Sequence, residues 1–239
     1  MTATAISPCG GSVNDFMTLS FENIPIVDAG AGGTICEDGS INITDATASD
    51  YLSLNWTGGD GTFTGGTTLT PTYTPGPTDI IWGTITLTLT AQPNGPCNTP
   101  VTDNATLIIQ SRPTVNAGND ESVCEGSSLP LTTSAASDYN TLLWTSTGGT
   151  GSFDDATIEN PIYTPSAADI SAGQVTLILT ATSSAPCAGT EDDSMVLTIL
   201  QDPTADAGSD ATICEDGSYF IFDAAETNSS LIVWTTGGD

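Results

Sequence analysis

The scarcest residues of this chain return at one interval, and an interval of that size dictates a string of like structural units. Cysteines stand at positions 9, 36, 97, 124, 187 and 214, separated alternately by 27 and by 61 or 63 residues. Each unit therefore carries two, and the period is 88 to 90 residues. Trp56, Trp144 and Trp234 keep that spacing, as do Pro25, Pro113 and Pro203, and the tripeptide YTP occurs at 73–75 and 163–165. The two extra residues of the longer period lie where WTSTGGTGSF replaces WTGGDGTF, and a Gly-rich stretch that absorbs a length change reads as a surface turn. These registers divide the chain into the end of one repeat (1–24), two complete repeats (25–112 and 113–202) and the start of another (203–239). Met1 aligns with Leu89 and Leu179, inside a strand pattern, so the chain reads as an excerpt of a longer repetitive protein. Export signals and anchors are expected outside this segment.

Within each repeat the pattern is β throughout. Residues 84–91, TITLTLTA, place Ile85, Leu87, Leu89 and Ala91 on one face and four Thr on the other, the period-two signature of a strand with one buried side. Residues 175–181 repeat it, with Ile178 the only apolar residue facing out. The last strand alternates as Met17, Leu19, Phe21, then Ala105, Leu107, Ile109, then Met195, Leu197, Ile199. Strands around Trp56 and Trp144 carry the tryptophan, placed where a sandwich buries one, and CEDGS or CEGSS makes a tight turn. No window predicts a helix longer than one turn. Roughly seven short strands in about 90 residues predict an all-β chain of tandem immunoglobulin-like Greek-key sandwiches.

Composition excludes several partners. The chain holds one Arg (Arg112), no Lys and no His against 29 acids, a formal net charge of −28. Phosphate backbones and anionic membrane surfaces require basic residues, so neither nucleic acid nor direct membrane insertion is expected. Without His or Lys the usual general bases and Schiff-base nucleophiles are missing, no carboxylate pair stands out from the repeated turn acids, and no enzyme is expected.

The pattern P-x-x-[DN]-A-G, then C-E-[DG]-[GS], Trp, G-x-F, [NT]-P-x-Y-T-P, G-x-[VI]-T-L-x-L-T-A and a cysteine before the last strand resembles PKD-like, immunoglobulin-like repeats. Such repeats stack in large secreted surface proteins of Bacteroidota, gliding-motility adhesins among them. The resemblance covers both complete repeats and both partial ones, although the WDFGDG motif of better-known PKD domains is absent. It implies an extracellular, bacterial cell-surface stalk, filament or adhesin segment that holds a distal binding element away from the cell. Its partners are then adjacent repeats of the same polypeptide and, in an alternative reading, a glycan or other surface ligand.

Two cysteines per repeat point to disulfides in an oxidising compartment. In a sandwich of this kind Cys36 sits at the turn after the first strand and Cys97 in the loop before the last. With strands of six to eight residues those ends lie roughly 20–25 Å apart, against the ~7 Å between Cα atoms that a disulfide permits. In a linear tandem that turn abuts the next repeat's loop, which predicts Cys36–Cys187. The alternative pairs Cys36 with Cys97 and Cys124 with Cys187, within repeats. The same stacking would bring Glu37 and Asp38 towards Glu191, Asp192 and Asp193, expected in the second repeat's loop, as a candidate Ca²⁺ site; the competing reading is a solvated acidic turn. No other cofactor is expected. Trp82, present in the first repeat only, is the candidate exposed aromatic for ligand binding, whereas Trp56, Trp144, Trp234, Tyr73 and Tyr163 read as packing residues.

Overall fold

Alternation decides the architecture strand by strand. The structure is a computed structural model that describes residues 1–236. Its first unit, Met1–Ser111, begins with the hairpin β1 (Thr2–Thr4) and β2 (Ser12–Asn14). There follow β3 (Ile26–Asp28), β4 (Gly33–Cys36), β5 (Ile41–Asn42), β6 (Thr47–Ser49), β7 (Tyr51–Thr57), β8 (Thr62–Thr64) and β9 (Thr72–Thr74). A helix, α1 (Pro77–Trp82), then leads into the long strands β10 (Thr84–Pro93) and β11 (Val101–Gln110).

One sheet has the order β4-β11-β10-β7 and a second the order β5-β9-β8, while β3 pairs with β6. The outward Thr and inward apolar residues of β10 obey the predicted period: Ile85, Leu87, Leu89 and Ala91 are all buried. With Ala105, Leu107 and Ile109 from β11, Leu54 and Trp56 from β7 and Tyr73 from β9, they make one core. Trp56 is 4% exposed and its indole N–H donates to the Thr68 carbonyl, so the predicted core tryptophan is both packed and satisfied.

The first strand is not continuous, whereas a single strand of six to eight residues was expected before the Cys36 turn. Residues 29–32 carry it from one sheet to the other: β3 pairs antiparallel with β6, and β4 pairs parallel with β11. Glycine makes the crossing feasible. Gly32 sits at φ +77, and a Cβ there would lie 1.9 Å from the Thr106 carbonyl oxygen.

The second unit, Arg112–Asp239, repeats the plan with β12 (Thr114–Asn116), β13 (Glu121–Cys124), β14 (Leu129–Pro130), β15 (Ala135–Ser137), β16 (Tyr139–Thr147), β17 (Ser152–Phe153) and β18 (Ile162–Thr164). It continues through α2 (Ala167–Ala172), β19 (Gln174–Ser183) and β20 (Thr190–Leu200) to β21 (Thr204–Asp206) and β22 (Ala225–Thr227). The sheets β13-β20-β19-β16 and β14-β18-β17 enclose a core in which Trp144, Tyr163, Leu177, Leu179, Met195 and Leu197 are buried. The chain is thus all-β, built from immunoglobulin-like sandwiches in tandem.

Three expectations are corrected. Two helices exceed one turn, and their signals were present: Pro77 at the first helical position, Asp79 and Asp169 at the third, and Gly83 and Gly173 in left-handed conformation at the ends. Met17, Leu19 and Phe21 alternate but lie outside any strand and are exposed, because among the described residues no sheet covers them. Trp234 is exposed rather than in a core, since β21 and β22 are the only strands described after residue 203.

Candidate functional site

The cysteines come first. Cys36 ends β4, where the Glu37 N–H donates to the Gln110 carbonyl at 3.0 Å and the Gly39 N–H to the Cys36 carbonyl at 2.8 Å, closing the expected tight turn. Cys187 is buried in the loop between β19 and β20, which is held by the Ser183 N–H on the Gly189 carbonyl at 3.0 Å and by Arg112 Nη1 on the Ala188 carbonyl at 3.2 Å. Both Cys36 and Cys187 are disulfide-bonded. Cys9, Cys97, Cys124 and Cys214 are free thiols. Each within-repeat pairing considered above needs Cys97 or Cys124, which carry no disulfide.

The acids of the candidate Ca²⁺ site are placed differently from expectation. Glu37 and Asp38 lie in the turn after β4, but Glu191, Asp192 and Asp193 belong to β20 rather than to a loop, because that strand pairs without a break from Thr190 onward. Asp193 is already committed: its Oδ2 accepts the Ala117 N–H at 2.8 Å. Asp103 does the same for the Ala29 N–H at 2.8 Å. Among the described residues no group of three or more His, Cys, Asp or Glu side chains comes together as metal ligands would. What Asp103 and Asp193 do is hold the sheet crossing. In the first unit Asp28 accepts the Gly30 N–H, Asp45 the Ala31 N–H and Asp103 the Ala29 N–H, so three successive backbone donors that leave the ladder each find an oxygen.

A second set of carboxylates was missed at the level of sequence. Asp79 and Asp169 are both fully buried, one at the third position of each short helix. Asp169 Oδ1 accepts the Thr150 N–H at 2.9 Å, while Oδ2 accepts the Tyr163 hydroxyl at 2.9 Å and the Ser166 N–H at 2.8 Å. Asp79 accepts the Tyr73 hydroxyl and the N–H groups of Asp60, Gly61 and Gly76. Each aspartate thus ties three pieces of one unit together: the Gly-rich turn after the Trp strand, the YTP strand and the helix start. Burial pushes the Asp169 carboxyl up, but the Ser166, Tyr163 and Thr150 hydrogen bonds overcome that and hold it below the ordinary range. Burial raises Tyr163 to about 12, with the hydrogen bond to Asp169 adding to the effect. Tyr73 is raised by the same two causes.

The two corners reach one result by different residues. In the first unit the helix start has Gly76 before it, and the carboxylate of Asp60 reaches in from the turn to accept the Thr78 and Asp79 N–H groups, both at 3.1 Å. In the second, Thr150 replaces Asp60 and Ser166 replaces Gly76; Ser166 Oγ accepts the Asp169 N–H at 3.2 Å and meets Thr150 Oγ1 at 2.9 Å. A Cβ on Gly76 would stand 2.4 Å from Asp60 Oδ1, so the exchange at one position requires the exchange at the other. The signal for the buried aspartates was available: Asp79 and Asp169 recur at the repeat interval, as do Asp103 and Asp193, whereas Asp60 and Asp38 are not repeated in the second unit. Being fully buried, Asp79 and Asp169 have no route to a substrate, and their chemistry is structural.

Trp82 ends α1 and is 68% exposed beside Ile81, also exposed. The matching positions of the second unit are Ser171 and Ala172. Among the described residues no helix is long and apolar enough to cross a membrane.

No protein family and no curated protein matches the chain. Among solved structures it is similar to human CDH23 EC21-23, at 13% identity and a TM-score of 0.51, over 86% of this chain and 80% of that one. It is also similar to Protocadherin Gamma B7 extracellular cadherin domains 1-4, at 15% identity and a TM-score of 0.48, over 84% of this chain and 58% of that one. Titin domains I67-I69 match at 16% identity and a TM-score of 0.47, over 75% of this chain and 67% of that one. The chain spans 49% of a further match, Protocadherin Gamma B2 extracellular cadherin domains 3-6. At 13% identity, the likeness to CDH23 is one of fold.

Proposed function

We propose that this chain is a structural segment of a secreted, repetitive cell-surface protein, a stalk or filament that holds a distal binding element away from a bacterial cell. The observation that carries the reading is the oxidation pattern laid over the repeat: Cys36 and Cys187 are disulfide-bonded while the other four cysteines are thiols. The bond proposed is Cys36–Cys187, joining repeat 25–112 to repeat 113–202. It closes a loop of about 150 residues, worth on the order of 4–5 kcal/mol by the chain-entropy estimate. Its larger effect is mechanical, since a covalent tie added to the short linkers ending in Pro113 and Pro203 turns flexible beads into a stiff rod. An oxidising, extracellular setting follows from the same bond. The resemblance to secreted surface repeats of Bacteroidota supports the bacterial surface as its place.

Non-reducing peptide mapping tests this. With one Arg in the chain trypsin is of little use, so oxidised, alkylated protein is cleaved at Asp and Glu. A peptide joining Cys36 to Cys187, with Cys9, Cys97, Cys124 and Cys214 alkylated, is the expected outcome. A Cys36–Cys97 peptide would overturn the rod and leave independent modules.

The exposure of Trp82 and Ile81 favours a second reading, in which the first repeat also carries a glycan-binding or other adhesive face. Retention of the chain on immobilised glycans, lost in Trp82→Ala, would support it; equal behaviour of the two proteins would leave the stalk alone.

A further inference from the structure

Glycine follows an aspartate or asparagine at Asp38-Gly39, Asp60-Gly61, Asn94-Gly95 and Asp216-Gly217. A glycine nitrogen has no Cβ to shield it, so in such a pair it can reach the preceding side-chain carbonyl carbon and close a succinimide ring. The fold decides which pair is free to do so. The Gly39 N–H donates to the Cys36 carbonyl at 2.8 Å, and the Gly217 N–H to the Cys214 carbonyl at 2.9 Å. The Gly61 N–H is held twice, by the Tyr73 hydroxyl oxygen at 3.0 Å and by Asp79 Oδ2 at 3.1 Å. Only at Asn94-Gly95, among the described residues, do both the glycine N–H and the preceding side chain lack a hydrogen-bond partner. This pair lies in the turn between β10 and β11, which the Cys97 N–H closes on the Asn94 carbonyl at 3.0 Å. Asn94 is partly exposed and Gly95 fully so; chain neighbours aside, nothing stands within 4 Å of where a Gly95 Cβ would be. The matching residues of the second unit, Ser184 and Ala185, offer neither the side-chain amide nor the bare nitrogen.

We infer that Asn94 is a site of self-modification, which converts to aspartate and isoaspartate in the folded protein while the three Asp-Gly pairs are held inert. The Gly95 nitrogen attacks Cγ of Asn94: the N–Cγ bond forms, the Cγ–Nδ2 bond breaks, and the nitrogen's proton leaves with the amide as ammonia. Water then opens the succinimide at either carbonyl, and no oxidant, reductant or other reagent is consumed. Opening at Cγ restores the original main chain and leaves an aspartate, one more negative charge in the loop. Opening at the other carbonyl routes the main chain through the side chain and lengthens it by one atom. The carbonyl that now accepts the Cys97 N–H becomes a free carboxylate off the main chain, so the turn that closes the β10–β11 hairpin is rebuilt. Of the two complete repeats only the first carries this mark.

Peptide mass spectrometry on the whole chain, incubated in mildly alkaline buffer and digested with pepsin in acid, tests this. The expected result is a peptide spanning Asn94 that gains the mass of amide-to-acid exchange, with ammonia released in step. Electron-transfer fragmentation should show isoaspartate there, and unaltered linkages at Asp38, Asp60 and Asp216. Incubation in guanidinium chloride frees the held N–H groups, and isoaspartate then forms at the Asp-Gly pairs as well. Gly95→Ala reproduces the residue of the second unit and places its methyl in open space, so it should keep the melting transition and lose most of the conversion at Asn94. An Asn94 peptide unchanged in the folded chain, isoaspartate at the Asp-Gly pairs of the folded chain, Asp-Gly pairs no more reactive when unfolded, or undiminished conversion in Gly95→Ala overturns the proposal.

Discussion

Replacing Asp169 by Asn changes one atom and removes one charge, and the structure says how much that should matter. Three donors converge on the carboxylate, one on Oδ1 and two on Oδ2. An amide offers a single oxygen. Its best orientation keeps that oxygen towards the Tyr163 hydroxyl and the Ser166 N–H, and turns its NH₂ against the Thr150 N–H. One buried donor is then orphaned, at about 1–3 kcal/mol, and the two surviving bonds lose their charge assistance, about 1 kcal/mol more. The total of roughly 2–4 kcal/mol lowers the melting temperature of a sandwich this size by roughly 10–30 °C. The pH dependence separates this mechanism from simple repacking. The folded carboxyl is held below its unfolded value near 3.9. Its contribution is therefore complete above about pH 4 and is lost as pH falls through the lower folded value. Calorimetry at pH 7 and at stepwise lower pH should show a wild-type advantage that is constant down to about pH 4 and narrows below it. A variant within about 0.5 kcal/mol of wild type, or a gap unchanged in acid, would refute the reasoning.

The same corner predicts an alkaline limit. Tyr163 is raised to about 12, so its contribution is intact below its ordinary value near 10 and is lost as pH climbs towards 12. Tyr163→Phe, which removes one hydrogen bond for about 1–2 kcal/mol, should flatten the urea midpoint across that window relative to wild type. A double-mutant cycle checks the exchange of caps. Gly76→Ser against Asp60 should cost about 1–3 kcal/mol through overlap, and Asp60→Thr about 1 kcal/mol through the lost cap. The pair together should cost at least 1 kcal/mol less than the sum, and additivity within about 0.5 kcal/mol would show the two positions to be independent. Gly32→Ala places a methyl on the Thr106 carbonyl at positive φ and should destabilise the first unit by more than 2 kcal/mol in denaturant titration.

How much of this was legible beforehand follows from the range of the forces involved. Period-two alternation is local, so β10, β11, β19 and β20 and the inward set from Ile85 to Ile109 could be read residue by residue, and rare residues at a fixed interval announced the repeats. Trp56 and Trp144 were legible because a lone Trp in an alternating strand has few places to go but inward. Helices α1 and α2 were missed because six residues carry no periodicity, although Pro77 and Gly83 bracketed one of them. The crossing at residues 29–32 was hidden because whether a strand stays in its sheet depends on the neighbour it meets, and Asp45 and Asp103, which hold the departing backbone, come from 14 and 74 residues away.

The sequence by itself therefore determined that this chain is a run of β-sandwiches with an acidic composition and two cysteines per repeat, because strand alternation, residue inventory and repeat spacing are properties of neighbours along the chain. Only the tertiary structure decided what the repeated aspartates do. Asp79 and Asp169 look on paper like any turn acid, or like ligands awaiting a cation. Their burial beneath Tyr73 and Tyr163, against backbone N–H groups brought in from distant turns, makes them internal ties, because a buried carboxylate is tolerated only where folding itself delivers the donors that replace water.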